Sequence, residues 1–340
     1  MDVSFLIDKK NRHMKKIIIY SILLLSSVIF YACNDEWKDE QYHKYVSFTR
    51  SGYVNTYLNY NAEGGLVTYR IPIEISGSTG NNRDVQVTIG VDPDTLNVMN
   101  QERYYTREDL YFRLLDPKYY EFKTMKTTIP AGQDVGYIDV DFKIDDLDLV
   151  EKYVLPLNII ETSEYSPSPK KWYRRSLMRI VPFNDYSGTY SATGGKITEA
   201  ASSTPTSVDT REMRVVNQNT VFFYAGLTEE EARNRALYKV RATFNPSTTE
   251  PNKGSVTLTA DSAKIGFTYE PSNCYYTVET KMDDLQPYLQ IKTTTLFLKY
   301  TYKDVSNPSY SVTYKFDGSY VLERRRNTQI PEQDQQEIFE

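Results

Sequence analysis

Five aspartates crowd one stretch of the chain: Asp139, Asp141, Asp145, Asp146 and Asp148. Two carboxylates suffice to hydrolyse a glycosidic bond, and a cluster of them can hold calcium. The spacing argues against both. Asp139 and Asp141 alternate with Ile138, Val140 and Phe142, which is the pattern of a strand with one wet face, and the other three fall in the turn that follows. Neither a glycine nor a terminal glutamate stands at calcium-loop spacing, so a solvated turn is the expected state. Imidazole and thiol chemistry is thinner still, because the histidines are His13 and His43 and the cysteines Cys33 and Cys274. A nucleophilic triad has no credible base here, and the sequence calls for no metal and no cofactor.

Aromatic residues are the better candidates for binding. The chain has 30 tyrosines. Tyrosine suits half-buried strands, but an exposed Tyr or Trp also makes a flat platform for a sugar ring. Three doublets flank turns: Trp172–Tyr173, Tyr104–Tyr105 and Tyr275–Tyr276. Adjacent residues of a strand face opposite sides, so each doublet is expected to put one ring in the core and one outside. Asn273 and Asp283 are polar neighbours suited to sugar hydroxyls.

Cys33 has a different setting. From Met14 the chain reads MKKIIIYSILLLSSVIFYAC, with Lys15 and Lys16 before an apolar run that ends near Phe30. That run is too short for a bilayer span, which takes roughly 20 apolar residues, and it has the three-part layout of a secretory signal. Met14 is a plausible true start. With Ala32 before Cys33, the segment resembles a bacterial lipoprotein signal. The resemblance implies cleavage after residue 32 and a diacylglyceryl group on the Cys33 sulfur. The acidic NDEWKDE that follows resembles an export tag for the outer cell surface. Cys274 would then be left without a disulfide partner.

The formal charge of −5 becomes more negative once the lysine-rich residues 1–32 are removed. This balance excludes nucleic acid, whose binding needs clustered Lys and Arg, and docking on anionic lipid by charge alone.

Period-two alternation dominates the rest, so the chain is expected to be all-β. Val67, Tyr69, Ile71, Ile73 and Ile75 point one way in GLVTYRIPIEI, where Pro72 suggests an edge strand. Val85, Val87 and Ile89 repeat the device, as do Ile138, Val140, Phe142 and Ile144. Thr106 and Asp109 are expected to cap a short helix carrying Leu110, Leu114 and Leu115, and Thr228 and Glu231 a second helix in TEEEARNRAL. The expected layout is a signal at 1–32, a tether at 33–44, an antiparallel β-sandwich at 45–182, an antiparallel β-barrel at 183–327 and a polar tail at 328–340.

Residues 38–182 carry a D-P-x-Y-Y stretch (Asp116 to Tyr120), IPAG (Ile129 to Gly132) and YVLPL (Tyr153 to Leu157). They resemble the Ig-like N-terminal domain of unknown function that opens many Bacteroidetes surface lipoproteins of polysaccharide-utilisation systems. The segment from FNDYSGTY to FDGSYVLERRRN resembles the lipocalin-like domain often attached behind it. The resemblance implies an outer-membrane, surface-exposed lipoprotein that captures a glycan without catalysis, with an outer-membrane glycan transporter as an implied partner. Some members carry a chitinase-like barrel with a D-x-x-D-x-D-x-E signature; here Val150 and Lys152 stand where its last two acids should be. Two rivals stand beside this reading. One is a fimbria-like structural or adhesion subunit, with Arg50 as a processing site. The other is a glycoside hydrolase working through two carboxylates.

Overall fold

The computed structural model describes residues 38–60, 65–202 and 204–331. The first half is a sandwich of short strands: β1 (Tyr45–Phe48), β2 (Gly52–Asn59), β3 (Leu66–Ile75), β4 (Val85–Val91), β5 (Arg113–Leu114), β6 (Tyr120–Phe122), β7 (Lys126–Ile129), β8 (Val135–Lys143), β9 (Tyr153–Thr162), β10 (Ser166–Pro167) and β11 (Arg175–Phe183). One sheet runs β10-β1-β3-β8-β6 and the other β2-β11-β9-β4-β7, with β5 added on β9. The alternating apolar residues meet between the sheets, where Phe48, Ile73, Val87, Val140, Phe142 and Leu155 are fully buried.

One segment belongs to both sheets. β1 pairs with β3 in the first, the chain turns at Gly52 (φ +71°), and β2 then lies parallel to β11 in the second. This crossing explains Pro72, which does not mark an edge strand: β3 lies between β1 and β8. The Pro72 carbonyl accepts from the Thr49 amide at the point where β1 leaves the sheet. A strand residue's N and C=O point to the same side, so the nitrogen of Pro72 faces Thr49, just past the last β1–β3 ladder pair, Phe48–Ile73, where β1 leaves the sheet.

The α-helix also lies elsewhere than expected. It is α1 (Pro93–Tyr104), capped by the Asp92 carboxylate, which accepts from the Thr95 amide and hydroxyl, with Pro93 in the first turn. The Thr106–Leu115 segment forms only a 3-10 turn at Glu108–Leu110 before running out into β5.

The second half is a closed antiparallel barrel: β12 (Gly188–Glu199), β13 (Pro205–Thr206), β14 (Thr210–Asn217), β15 (Thr220–Tyr224), β16 (Lys239–Pro246), β17 (Lys253–Ala260), β18 (Thr268–Tyr269), β19 (Tyr275–Met282), β20 (Leu289–Asp304) and β21 (Val312–Asn327). Strands β12, β14, β15, β16, β17, β19, β20 and β21 follow one another, and β21 returns to pair with β12. Aromatic rings fill the interior. Tyr300 stacks on Phe316 at 5.0 Å between centroids, and Phe223, Tyr302 and Tyr320 pack around them. Phe222 and Phe297 face outward, Phe222 packing with the sandwich core and Phe297 stacking on Tyr275, whereas Phe267 packs against Tyr300 at the barrel core.

Burying so many phenols requires partners for their hydroxyls. The Tyr300 hydroxyl accepts from the Gly226 amide and the Tyr302 hydroxyl from the Leu227 amide, while Tyr238 donates to Asp304. Burial pushes the Tyr238 hydroxyl up to about 12, so it stays protonated and able to donate. The 226–227 turn therefore closes one end of the barrel, and the buried Arg211 guanidinium holds it by donating to the carbonyls of Gly226 and Thr228.

Gly226 has φ +55°, and a Cβ there would collide with the Tyr302 ring. Replacing Gly226 with Ala is expected to cost about 2–4 kcal/mol, combining left-handed strain with overpacking. Denaturant unfolding monitored by tyrosine fluorescence measures this directly; an unchanged midpoint would contradict the role given to the turn.

Candidate functional site

The two domains dock through the aspartate-rich loop after β8. Leu147, Leu149 and Val150 of that loop are buried in one cluster with Val215, Phe222 and Tyr224 from the barrel's outer surface. Polar bonds frame the contact. Arg214 on β14 is almost fully buried; it donates to the Leu149 carbonyl at 2.8 Å and to Glu230 at 2.6 Å, and it pairs with Glu212 at 3.3 Å. Arg235 donates to the carbonyls of Asp109 and Val150, and Lys239 bonds Asp148 at 3.0 Å.

These contacts explain why Thr228–Leu237 forms no α-helix. The segment is a series of turns ending in a 3-10 helix at Arg235–Tyr238. Glu230 reaches Arg214, the Glu231 carbonyl accepts from Arg107, and Arg235 reaches across to the sandwich. Contacts with the neighbouring domain override a local capping signal.

The other aspartates are also engaged structurally. Asp139 pairs with Arg70 and Asp141 accepts from Thr68, both across the β3–β8 ladder. Asp145 accepts from the Tyr60 hydroxyl. Among the described residues no group of three or more His, Cys, Asp or Glu is placed to hold a metal ion.

Beside the docking contact lies a cleft of ≈ 270 Å³. Its floor is the outer face of the second sheet. Asn55 and Tyr57 line it from β2, with Arg179 and Val181 beside them in register on β11. Lys152, at the start of β9, and Glu212 and Arg214 from the barrel complete the lining. A second groove of ≈ 400 Å³ runs along β2 past Tyr53 to Arg50, and the two share Asn55 and Tyr57. The Asn55 side-chain carbonyl is buried without a hydrogen-bond partner.

The cleft's electrostatics follow from burial. Burial and the nearby guanidinium groups of Arg214 and Arg179 lower the Lys152 ammonium. Burial works against the charge of Glu212, but Arg214 outweighs it and holds the carboxyl below its ordinary range. Burial raises Glu230. Glu151, also in the lining, is tied to Arg113 at 3.0 Å and Arg235 at 3.8 Å.

The aromatic doublets separate into two regions. Trp172 and Tyr173 do not split between core and solvent: both are about half exposed, at 49% and 48%. They sit in the turn before β11 and not in a strand, so strand alternation does not apply. The Trp172 ring lies over Gly52 at the head of β2, and the Trp172 carbonyl accepts from the Gly52 amide. Tyr104 is half-buried at the end of α1 against Phe112, which also touches Tyr53, while Tyr105 is 77% exposed. Tyr275 and Tyr276 do split, one exposed on the barrel wall and one inside against Phe244. Trp172 and Tyr104 thus share the head of β2, and the third doublet belongs to the barrel. Arg50 is also at this head, its guanidinium donating to the Tyr69 hydroxyl. Cys33 lies outside the described residues.

A family model described as a domain of unknown function (DUF4973) matches residues 37–163, and a second, describing a C-terminal domain, matches residues 174–320. A Bacteroides ovatus protein of unknown function is 33% identical with a TM-score of 0.77, the match covering 86% of this chain and 99% of that one. The chain belongs to this family of two-domain β-proteins. A Bacteroides ovatus multidomain protein including DUF1735 is 32% identical (TM-score 0.76, coverage 86% and 99%). A Bacteroides thetaiotaomicron protein named as an auxiliary nutrient binding protein is 31% identical (TM-score 0.75, coverage 84% and 94%). No curated protein matches the sequence.

Arg214 is the charge on which the docking contact depends. Arg214→Ala strands two acidic groups at the interface and is expected to cost about 3–5 kcal/mol in a thermal or urea melt. Replacing Arg214, Glu212 and Glu230 together by Met, Gln and Gln is expected to cost less than Arg214→Ala alone, since no charge is left without its partner.

Proposed function

We propose that this chain is a lipid-anchored protein of the outer cell surface that binds glycan without cleaving it. The observation that carries the reading is the open aromatic path on the sandwich. Trp172 and Tyr173 stand half exposed at the head of β2, and a groove bordered by Tyr53 and Tyr57 leads from there to the interdomain cleft. Sugar rings stack on such faces, and neighbouring Asn and Tyr polar groups serve their hydroxyls. Lys171 and Lys170 lie over the two exposed rings at 5.8 and 5.4 Å, holding them in place beside the groove.

The name of the Bacteroides thetaiotaomicron relative, an auxiliary nutrient binding protein, supports a binding role. The lining carboxylates support binding in preference to hydrolysis. A glycosidase needs one carboxyl kept protonated as the acid, whereas Arg214 holds the Glu212 carboxyl below its ordinary range. The signal-like segment ending at Cys33 supports the anchor. Dense display on a surface raises effective concentration and compensates for weak single-site binding. A neighbouring outer-membrane transporter is the partner this arrangement would feed.

Affinity electrophoresis of the full chain against plant and host polysaccharides tests the reading. Retardation by at least one polymer is expected, with Trp172→Ala weakening it about tenfold, in keeping with one lost ring contact of about 1–1.5 kcal/mol. The melting temperature should stay unchanged. A panel with no retardation at all would sink the proposal.

A further inference from the structure

The cleft between the domains holds more positive charge than its own carboxylates neutralise. Glu212 and Glu230 converge on Arg214, and Glu151 is taken by Arg113 and Arg235. Lys152 and Arg179 remain, both lining the cleft, and neither makes an ion pair with a carboxylate among the described residues. Arg179 has the Tyr53 hydroxyl as its neighbour, a neutral partner. Two adjacent cations in a concave, partly buried site repel one another, and each loses hydration. Burial first, then the positive charges of Arg214 and Arg179, lower the affinity of Lys152 for its proton, with Glu212 and Glu230 acting the other way. An arrangement of this kind is relieved by an anion placed between the two cations.

The surroundings limit what that anion is attached to. The buried Asn55 side-chain carbonyl, next to Arg179 across the β2–β11 pair, has no donor to accept from. A simple inorganic anion offers it none, whereas a hydroxylated ring does. Tyr57 adds an aromatic face to the same lining. The cleft is near the lower end of the roughly 300–1,000 Å³ range of small-ligand sites, and it opens through Asn55 and Tyr57 into the longer groove along β2. A chain lying in the groove would place its end, or one of its units, in the cleft.

We infer that the interdomain cleft binds the acidic unit of a charged glycan, a sugar ring bearing a carboxylate or a sulfate ester, with Arg179 and Lys152 holding the anion and Asn55 accepting from a ring hydroxyl. The inference rests on the glycan-binding reading above and names its substrate class. The guanidinium of Arg179 suits either anion, since both present paired oxygens to its fork. Lys152 contributes as a point charge.

Calorimetric titration of the full chain in detergent separates the possibilities, using three oligosaccharide probes: a uronate polymer fragment, a sulfated fragment and a neutral fragment of similar length. At least one acidic probe is expected to bind ten or more times more tightly than the neutral one, and its affinity to fall as salt rises. Lys152→Gln and Arg179→Gln are each expected to weaken the acidic probe five- to thirtyfold. Lys152 is the safer variant, because among the described residues its side chain is in no ion pair, and its carbonyl, which accepts from the Arg113 amide, is unchanged by the substitution. The relative affinity for uronate and sulfate identifies the anion. Equal binding of acidic and neutral probes, insensitive to Lys152→Gln, overturns the inference while leaving glycan binding intact. Binding of none of the three, with neutral polysaccharides retarding the chain in electrophoresis, also overturns it. Failure of every glycan would instead remove the reading beneath it.

Discussion

A guanidinium withdrawn from water must be answered on every side, and Arg214 is answered from both domains. Its bonds run to a carbonyl of the sandwich loop and to two carboxylates of the barrel. Desolvating these charges costs several kcal/mol per ion, which the pairing only partly offsets. The contact therefore owes its strength to the apolar cluster around it, where Leu147, Leu149 and Val150 meet Val215, Phe222 and Tyr224. The charges serve orientation, since Arg214, Arg235 and Lys239 each reach a particular partner on the sandwich. That orientation in turn sets the width of the cleft and the position of Glu212 opposite Arg179.

Much of this fold could be read from period-two alternation, because one face of each strand is dry and the other wet. Val85, Val87 and Ile89, and Ile138, Val140 and Phe142, point inward as their spacing requires. The helices were harder to read. α1 buries only Thr95, Leu96 and Asn100, so it has almost no apolar stripe to detect; its readable signal was the Asp92–Pro93 start. At Thr228–Glu231 a sound capping pattern gives no helix, since contacts from the other domain claim those residues. Local sequence carries no record of that claim.

The site was legible only in part. Aromatic doublets led to Trp172 and Tyr104 at the head of β2, but the cleft residues Lys152, Arg179 and Asn55 gave no sequence signal. Lys152 and Arg179 are far from Glu212 and Arg214 along the chain and become neighbours only when the barrel docks. Tyr53, Asn55 and Tyr57 do have a signal in retrospect: polar and aromatic residues alternating on the outward side of a strand without a charge. The aspartate-rich turn held a second one, since Leu147, Leu149 and Val150 are too apolar for a turn left in solvent.

The segment that crosses from the first sheet to the second acts as a cross-tie. Because β1 and β2 are one short length of backbone, turned at Gly52, neither sheet can slide along the other without breaking a ladder. β2 runs parallel to β11, and β11 continues directly into the barrel. A pull on the start of the sandwich would load the β1–β3 and β2–β11 ladders lengthwise, with many backbone bonds sharing the force. The groove borders that same β2, so its rings and polar groups sit on a strand held along its length by the β11 ladder.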